Sequence, residues 1–390
     1  MKVAIVGLGF RLAYLVKVFS AVLPEFLVVG YVDPEPAGLP QLTAQGLSVG
    51  NAHASLDQLL ERESFDVLMV GSPNHLHLQH IQKGLEAGKK IFAEKPVVTT
   101  IEDSITMAAL LGRYGAENVM VGLVLRYAPL YVDLQKALAD GILGDVVSIE
   151  ASEHIAPYHG AFFMRDWRRY QKYAGSFMLE KCCHDLDLYN GVTKSRPSHV
   201  ASFGGRKSFV PSNAPTGAND TAVYHKKPSG WQGSDKVFDS DGDIIDYQTA
   251  LVEYGSGASM AFHTNLNVPD QFRRFCVIGT KGMAEGDFVR NYFRVHDART
   301  SEKLIDKTYA LSALSEHYGA DEQMAKDMND HVVNGTKLPV SVIEALEAGI
   351  LALSLDQARQ TRSVVNLAPI WQRFDAALRG TKGVTGSRAS

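Results

Sequence analysis

The chain has 390 residues, which is too long for one ordinary hydrophobic core and points to two domains. Its 45% hydrophobic and 21% charged residues are typical of a soluble globular protein, and its formal net charge of −4 argues against nucleic acid as a partner. No apolar run is long enough to span a bilayer, and the first residues are typical of a strand rather than a signal peptide. The three cysteines form no disulfide framework, so we expect a cytoplasmic protein.

The first residues follow the pattern of a dinucleotide-binding unit. Residues 2–6 predict a buried strand, Gly7-Leu8-Gly9 a tight turn, residues 11–23 a helix, and residues 26–32 a second strand that ends at Asp33. The glycines let a pyrophosphate approach the helix N-terminus, where free N–H groups favour an anion. The Asp33 carboxylate would accept from ribose hydroxyls and repel a 2′-phosphate, so the sequence predicts NAD rather than NADP.

Strands and helices continue to alternate up to about residue 124. A buried strand at residues 65–70 ends in Ser72-Pro73-Asn74, and we expect Asn74 to cap the helix that follows. This loop would lie along the cofactor. His75, His77 and His80 stand close together here, but no nearby carboxylate or cysteine joins them. Solvated helix histidines explain them better than a metal site, so no metal is predicted.

In the segment Ile91-Phe92-Ala93-Glu94-Lys95-Pro96, three apolar or small residues predict a buried strand. An acid, a lysine and a proline follow it directly. Proline cannot donate to a sheet, so the strand stops before it and Lys95 falls at the carboxyl edge, where ligands bind in open α/β sheets. A lysine in a partly dry pocket beside a cationic nicotinamide would hold its proton less tightly and could exchange it with a substrate hydroxyl. A surface lysine paired with Glu94 is the structural alternative.

The pattern changes after residue 124, which predicts domains at residues 1–124 and 125–390. Long β-like runs at residues 146–154, 199–203, 249–265, 274–279 and 292–296 succeed one another without helices, which indicates an antiparallel sheet. Residues 204–246 predict a long loop or insertion, partly ordered at best, whose acidic cluster we interpret as a solvated turn. Residues from about 380 predict a disordered tail.

A second chemical cluster lies at Gly175–Asp187. Glu180 and His184 are four residues apart, so on one helix the carboxylate could orient the imidazole, which would exchange a proton with substrate. A surface ion pair with His184 packed on Leu188 is an equally simple explanation. Asp185 and Asp187 are interpreted as helix-surface or capping groups.

Taken together, these motifs resemble the glucose–fructose oxidoreductase/inositol dehydrogenase (Gfo/Idh/MocA) family. The resemblance rests on motifs spread over nearly the whole chain: Val6-Gly7-Leu8-Gly9, Ser72-Pro73-Asn74 with His77, Glu94-Lys95-Pro96, Trp167-Arg168, the segment 175–187 and Gly279-Thr280-Lys281-Gly282. It implies an α/β Rossmann domain followed by an α+β domain with a large, mostly antiparallel, open-faced sheet. That face would form a homodimer or homotetramer.

The resemblance also implies functional residues and an activity. Lys95 and His184 match the catalytic lysine and histidine, while Glu180 stands where many members have aspartate. The residues expected at the cofactor are Gly7, Gly9, Phe10, Arg11, Asp33, Ser72, Pro73, Asn74, His77, Glu94 and Lys95. The residues expected at the substrate are Lys95, Arg126, His154, Tyr158, Arg165, Trp167, Arg168 and His184.

The expected reaction moves a hydride between the nicotinamide and a ring hydroxyl of a sugar, sugar derivative or cyclic polyol. Two alternatives remain open. One is an NAD-recycling lyase or glycosidase-type enzyme that works through a transient keto-sugar, and the other is a catalytically silent NAD-sensing regulator.

Overall fold

The computed structural model describes residues 1–310 and 317–380. In the first part of the chain, the strands are β1 (Lys2–Val6), β2 (Leu27–Val32), β3 (Asn51–Ala52), β4 (Val67–Val70), β5 (Lys90–Ala93) and β6 (Val119–Val121). The helices between them are α1 (Phe10–Val22), α2 (Leu39–Ala44), α3 (Leu56–Arg62), α4 (His77–Glu86) and α5 (Ile101–Tyr114). Ser55 and Thr100 cap α3 and α5 by accepting from backbone N–H groups at 3.2 and 3.0 Å.

These six strands form one parallel sheet in the order β3-β2-β1-β4-β5-β6. The central strands β1 and β4 are apolar and buried except for Lys2 at the start of β1, as expected for a parallel sheet covered on both faces. The strand order reverses between β1 and β4, and the crevice at their carboxyl ends is where a doubly wound sheet binds its ligand. The Rossmann arrangement expected from the sequence is therefore confirmed.

The second part of the chain contains a nine-stranded sheet. Its strands are β7 (Val146–His154), β8 (Pro197–Gly205), β9 (Tyr247–Tyr254), β10 (Ser259–Asn265), β11 (Phe272–Gly279), β12 (Gly282–Asp287), β13 (Tyr292–Asp297), β14 (Lys303–Thr308) and β15 (Val365–Asn366). The helices are α6 (Pro129–Ala139), α7 (Pro157–Arg165), α8 (Gln171–Ala174), α9 (Phe177–Glu180), α10 (Cys183–Thr193), α11 (Ala218–Val223), α12 (Ala320–Asn334), α13 (Val342–Thr361) and α14 (Ala368–Arg379).

Strands of this sheet run in the order β14-β13-β12-β11-β7-β10-β9-β8-β15, and every pair is antiparallel except β7 with β10. The mostly antiparallel sheet is thus confirmed. Three of its strands were not predicted: β15 has only two residues, β12 carries two glycines and two acids, and β14 is polar and largely exposed. None of them has the apolar alternation by which strands are recognised in a sequence.

The C-terminal helices fold back onto the first sheet's layer. Helix α12 packs against α1 and helix α14 against α5. The two sheets are separate, and the packing of α12 and α14 against helices of the first part joins the two parts of the chain. A boundary at residue 124 remains a prediction, and the tail expected from about residue 380 lies almost entirely outside the described residues.

The insertion at residues 204–246 is more ordered than its composition suggests. The buried carboxylate of Asp246 accepts from the backbone N–H groups of Lys207, Ser208 and Phe209 at 2.8 to 3.0 Å. Asp241 and Asp243 are bound as well, by Arg169 and Tyr170 and by Gln171. The interpretation of this acidic cluster as a solvated turn was wrong for the buried Asp246, whereas Asp239, Asp241 and Asp243 are exposed.

Within the described residues, the structure has no helix whose length and hydrophobicity would carry it through a membrane.

Candidate active site

The N-terminus of α1 forms an open cradle at the carboxyl edge of the first sheet. Gly7 has φ +86°, and a Cβ there would lie 2.2 Å from the backbone nitrogen of Ser72, so the turn and the neighbouring loop can approach only because Gly7 lacks a side chain. Gly9 is the N-cap residue, makes no side-chain cap and faces open space. The first N–H groups of α1 are thus free to bind an anion, which fits a dinucleotide pyrophosphate.

Asp33 closes this cradle at the end of β2. Its Oδ2 accepts from the Leu8 N–H at 2.7 Å and its Oδ1 from the Glu35 N–H at 2.8 Å, which fixes the carboxylate. Each oxygen keeps a lone pair that could accept from a ribose hydroxyl. The residues at this edge therefore suit an adenosine ribose.

Arg11 lies in the first turn of α1 and joins three parts of the site. Its guanidinium is 3.0 Å from Glu94 Oε1 and 3.0 Å from Asp321 Oδ1 on α12. Asp321 also contacts His317 Nδ1 at 3.0 Å, and the His317 ring lies 6.3 Å from the ring of His184. The turn before α1 is thus joined to Asp321 and His317 by ion pairs that the sequence did not reveal, and His317 lies near His184.

Lys95 follows β5 and reaches into the second part of the chain. Its Nζ donates to the backbone oxygen of Glu180 at 2.7 Å and lies 3.6 Å from Glu180 Oε1. The side chain is 20% exposed, so the ammonium is partly dry but open to a ligand. Lys95 therefore lies between the carboxyl edge of the first sheet and Glu180, and Glu94, its neighbour, is paired with Arg11 instead.

The Glu180 carboxylate is buried and fully engaged. It accepts from Arg168 Nε at 2.7 Å on one oxygen and from Asn74 Nδ2 at 2.5 Å on the other. Burial alone would raise the pKa of Glu180, but the charges of Lys95 and Arg168 and the hydrogen bonds from Arg168 and Asn74 outweigh it and lower the pKa. Glu180 is thus an anion that holds the lysine in place.

His184 stands in the first turn of α10, 5% exposed, with no hydrogen-bond partner for Nδ1 among the described residues. Burial and then the positive charges of Lys95, Arg273, His317 and Lys181 drive its pKa well below 6.5. The imidazole is therefore neutral at physiological pH and can accept a proton. Lys95 is close enough to be the strongest charge acting on it.

The orientation of His184 by Glu180 was a wrong prediction. Helix α9 ends at Glu180 and α10 begins at Cys183, so the two residues do not share one helical face. The Glu180 carboxylate binds Arg168, Asn74 and Lys95 instead.

A buried charge cluster lies beside His184. Arg273 donates to Asp185 at 2.8 and 2.6 Å and contacts Glu153 at 3.2 Å, while Lys181 contacts Glu153 at 3.1 Å. Burial and the neighbouring Glu153 raise the pKa of Asp185 against the opposing charge of Arg273. Cys182, Glu153 and Asp185 offer three potential metal ligands within 4.8 Å of one another. Both carboxylates are already paired with cationic side chains, Lys181 and Arg273.

Comparisons with known proteins agree with this arrangement. Residues 1–123 match the family model described as "Oxidoreductase family, NAD-binding Rossmann fold", and residues 131–285 match the "GFO/IDH/MocA C-terminal domain".

The chain belongs to the Gfo/Idh/MocA family.

Relatives of this Gfo/Idh/MocA protein are distant but extend over most of its length. YteT of Bacillus subtilis (strain 168), named as an oxidoreductase without a stated substrate, is 23% identical and covers 89% of this chain and 88% of its own. A 2,7-anhydro-N-acetylneuraminate hydratase of Mediterraneibacter gnavus is 24% identical over 78% of this chain and 75% of its own. A levoglucosan dehydrogenase solved with NADH and levoglucosan has a TM-score of 0.75 at 18% identity, covering 94% and 99% of the two chains.

The Gfo/Idh/MocA match makes this chain an oxidoreductase with an NAD-binding Rossmann domain. The residues at the edge of the first sheet are Gly7, Gly9, Phe10, Arg11, Asp33, Ser72, Pro73, Glu94 and Lys95. Two other residues expected to bind the cofactor act differently. Asn74 does not cap α4: its buried amide donates to Ala174 O and to Glu180. His77, 1% exposed, lies with one ring nitrogen against Ser72 O and the other against Pro96 O, so it joins two loops and does not face the cleft.

Two residues expected to bind substrate lie elsewhere in the protein. His154 shares a face of β7 with Ser148, Glu150 and Ser152 and contacts Asn265 at 3.0 Å on the open side of the second sheet. Successive strand residues point to opposite faces, so Glu153 and not His154 faces α10. Arg126 is 8% exposed and forms a bidentate ion pair with Asp187, so its role is structural.

Arg165 and Arg168 lie in the segment that precedes α8, and their side chains have different partners. Arg168 lies between Asp166 and Glu180 at 2.8 and 2.7 Å and stacks on Trp167, 4.2 Å from the ring centroid. Arg165 donates to Ser229 and to the backbone oxygen of Lys227, so it holds the insertion. Tyr158 is half-buried and stacks at 6.2 Å on His159.

The expectation that Asp185 and Asp187 are surface groups was wrong, since they are 0% and 1% exposed. One feature of the sequence does indicate the buried charge cluster of Arg273, Asp185 and Glu153. Arg273 shares the inward face of β11 with Phe275 and Val277, and a charge in an apolar register requires a buried partner.

Proposed function

We propose that the protein catalyses NAD-linked hydride transfer at a ring hydroxyl of a sugar, sugar derivative or cyclic polyol. The observation that supports the proposal is that the Lys95 ammonium, fixed by the Glu180 carbonyl at the carboxyl edge of the first sheet, is the foremost charge acting on the buried, neutral imidazole of His184. One group donates a hydrogen bond and the other accepts a proton, which is what an alcohol needs as it becomes a carbonyl.

The roles of the two side chains follow from their surroundings. Burial and the neighbouring positive charges lower the pKa of His184, so its imidazole is neutral and is the group available to accept the hydroxyl proton. Lys95, held by the Glu180 carbonyl, donates to the developing alkoxide. Glu180 is a positioning residue that fixes Lys95 through its own carboxylate and through Arg168. Bound NAD supplies the hydride acceptor and, in the reverse direction, reduced NAD supplies the hydride.

We further propose NAD over NADP as the preferred cofactor. Asp33 stands at the expected ribose position with both oxygens fixed by backbone N–H groups, so it cannot easily turn away from a 2′-phosphate. A cytoplasmic location is part of the same proposal and is supported by the three free cysteines.

A homo-oligomer is proposed through the open face of the second sheet. A shallow depression of about 830 Å³ lies on this face, and large apolar side chains are exposed along it: Phe203, Leu251, Ile278 and Val364. An apolar surface of this kind is typical of a protein interface.

A second candidate function is favoured by the hydratase among the relatives. In that case the cofactor would be reduced and reoxidised within one catalytic cycle, through a transient ketone. The same proton acceptor and alkoxide donor would serve both functions.

A substrate screen distinguishes them. The purified chain would be mixed with sugars, sugar acids and inositols and with NAD⁺ or NADP⁺, and reduced cofactor followed at 340 nm while products are separated by chromatography. Accumulating NADH supports the dehydrogenase. Altered sugar without net NADH supports the recycling enzyme, and no change of either in any reaction contradicts both.

A further inference from the structure

A second imidazole, that of His317, stands beside His184. The centroids of the two rings are 6.3 Å apart, and the ring planes are inclined by 42°. Two ring nitrogens in direct contact at about 3 Å would keep the centroids within about 5.5 Å, whereas one bridging oxygen allows up to about 8 Å. The rings are therefore too far apart for a direct hydrogen bond and at a suitable distance for one water or hydroxyl between them.

The carboxylate of Asp321 fixes the tautomer of His317. It is buried, and its Oδ2 lies 3.0 Å from His317 Nδ1. Burial raises the pKa of Asp321, but the hydrogen bond from His317 and the charge of Arg11 outweigh it, so the carboxylate is ionised. An ionised carboxylate only accepts, so Nδ1 carries the proton and Nε2 keeps a lone pair. His317 is thus a proton acceptor at Nε2.

Helix α1 holds this pair of residues in place. The Arg11 guanidinium donates to Asp321 Oδ1 at 3.0 Å, and the Tyr14 hydroxyl donates to Asp321 Oδ2 at 3.2 Å. The same guanidinium lies 3.5 Å from His317 Nδ1, farther away than the carboxylate does. The position of the His317 ring is therefore set by bonds to two helices, α1 and α12.

The charged groups around His184 balance one another. Four cationic side chains face four carboxylates here: Lys95 and Arg168 with Glu180 and Asp166, and Lys181 and Arg273 with Glu153 and Asp185. A proton on His184 would add a positive charge for which these ion pairs leave no anion. Such a charge is costly at a buried position, so His184 gains by passing the proton on.

The balance is opposite at His317. Glu94 and Asp321 share one cation, Arg11, at 3.0 Å each, and no other cationic partner of either acid lies among the described residues. One negative charge is thus left beside the imidazole, and a proton on His317 would neutralise it. Lys181 acts on both imidazoles and so does not distinguish them.

His317 is also the more accessible of the two rings. Its side chain is 26% exposed, whereas His184 is 5% exposed. A base that takes a proton in each turnover must lose it before the next one. The more exposed ring, beside an excess of negative charge, offers that proton a way out.

We propose that His317, held by Asp321, relays the proton of the reaction: it receives from His184, through one bridging oxygen, the proton taken from the substrate hydroxyl. The inference rests on the proposed function and adds a residue to it. The hydroxyl O–H bond breaks and His184 gains the proton. The bridging oxygen accepts this proton and gives one to His317 Nε2, which leaves His184 neutral again. His317 then releases its proton to solvent.

Chemical rescue tests the relay. With NAD⁺ and the sugar or polyol that the screen identifies, His317→Ala should lower kcat about 10- to 100-fold and leave KM nearly unchanged, because a proton transfer and not binding is impaired. Imidazole added to the assay should restore most of this loss, since a small base can act in the space left by the side chain. Unchanged kcat, or a loss that imidazole does not reduce, overturns the inference.

Two further variants make this test specific. His317→Gln keeps a side chain that can hydrogen-bond but cannot relay a proton, so it should be about as slow as His317→Ala. Full activity of His317→Gln would show that a hydrogen bond suffices and would overturn the relay. His225→Ala, at a partly exposed histidine of the insertion, is the matched control and should be neither slowed nor rescued. Arg11 and Asp321 remain paired in both His317 variants, so we expect the fold to persist.

Nuclear magnetic resonance separates the inference from the proposed function, because it needs no substrate. In the histidine-labelled chain, with signals assigned by His184→Gln and His317→Gln, the imidazole nitrogen shifts should show His317 protonated at Nδ1. As the pH falls, His317 should gain its second proton before His184. Protonation of His184 first overturns the relay, whatever the activity. If His317 is protonated first, the relay is supported, and a screen without turnover then counts against the proposed function alone.

Discussion

The ammonium of Lys95 lies 2.7 Å from the backbone oxygen of Glu180, and thereby connects the edge of the first sheet to the turn between α9 and α10. A backbone acceptor cannot rotate away, and the Glu180 carboxylate that stabilises the same lysine is itself held by Arg168 and Asn74. The group that we propose as the donor to the alkoxide is therefore fixed before substrate binds. Electrostatic stabilisation of a transition state is most effective when its donors need no reorganisation.

Replacing Lys95 by Met removes that donor while keeping the length and apolar stem of the side chain. We expect turnover to fall by about 10³-fold, since losing one fixed donor to a developing oxyanion costs on the order of 10²–10³ and a charged donor costs more. NAD affinity, measured by fluorescence titration, should stay within a few-fold. Lys83→Met, which removes a surface lysine paired with Asp57, is the control; unchanged turnover in Lys95→Met would rule out the proposed mechanism.

Substitutions of Glu180 test whether it positions the lysine or orients the imidazole. Glu180→Gln keeps the shape but loses the charge, so we expect kcat to fall about 10- to 100-fold with KM less affected, and Glu180→Asp to recover part of the loss. Glu180→Ala should also destabilise the fold by about 3 kcal/mol, because Arg168 loses a buried partner. Urea unfolding and steady-state kinetics measure both effects, with the exposed Glu102→Gln as control.

The sequence located Lys95 and His184 but not the contacts that set their roles. A strand that ends in Lys-Pro places the lysine at the sheet edge by local rules alone. The partner of Glu180, by contrast, depends on a break between α9 and α10 that the four-residue spacing conceals. His317 and Arg273 come from distant parts of the chain, so only tertiary structure brings them to the site.

Two other wrong predictions, the position of His154 and the loose insertion, also depend on contacts that the sequence does not show. His154 and Glu153 are adjacent, and without the register of β7 nothing in the sequence decides which of them faces the cleft. The insertion at residues 204–246 was expected to be a loose loop because its composition is polar. Its order comes from long-range bonds of Asp246, Asp241 and Arg165, which composition cannot reveal.

Stability should fall as the pH is lowered from about 6.5. The pKa values of His77, His159 and His184 are all lowered by burial, so below 6.5 the unfolded chain binds protons that the folded chain does not. Each such histidine then costs up to about 1.4 kcal/mol per pH unit until its folded pKa is reached. Urea unfolding at pH 7.5, 6.5 and 5.5 should show this loss.

His159→Gln provides the matched test of that pH dependence. It should reduce the loss between pH 6.5 and 5.5 by about 1 kcal/mol, even if it lowers stability at every pH. His199→Gln, at an exposed position on the open face of the second sheet, serves as the control. A stability that stays constant down to pH 5.5 would contradict the buried neutral histidines.

Cofactor choice should depend on Asp33. Asp33→Ser removes the charge that repels a 2′-phosphate, so the ratio of kcat/KM for NAD to that for NADP should shift towards NADP by at least about tenfold. The variant also loses an acceptor for the Leu8 and Glu35 N–H groups, so activity with NAD should fall in absolute terms. Asp57→Ser, on the surface of α3, is the control, and an unchanged ratio would exclude Asp33 from ribose recognition.

The open face of the second sheet provides a test that does not involve the cleft. Phe203 is 67% exposed and Leu251 is 55% exposed, and β8 and β9 present them at diagonal positions on the same face. A carboxylate placed there would have to be desolvated in any interface, so Leu251→Asp should convert the proposed oligomer to smaller species in light scattering coupled to size-exclusion chromatography. Val333→Asp, on an equally exposed position of α12, is the control for surface charge. Because Phe203 and Leu251 are both exposed, the dissociated chain should keep its fold. A mass that is unchanged by Leu251→Asp and Phe203→Asp together would exclude this face as the interface.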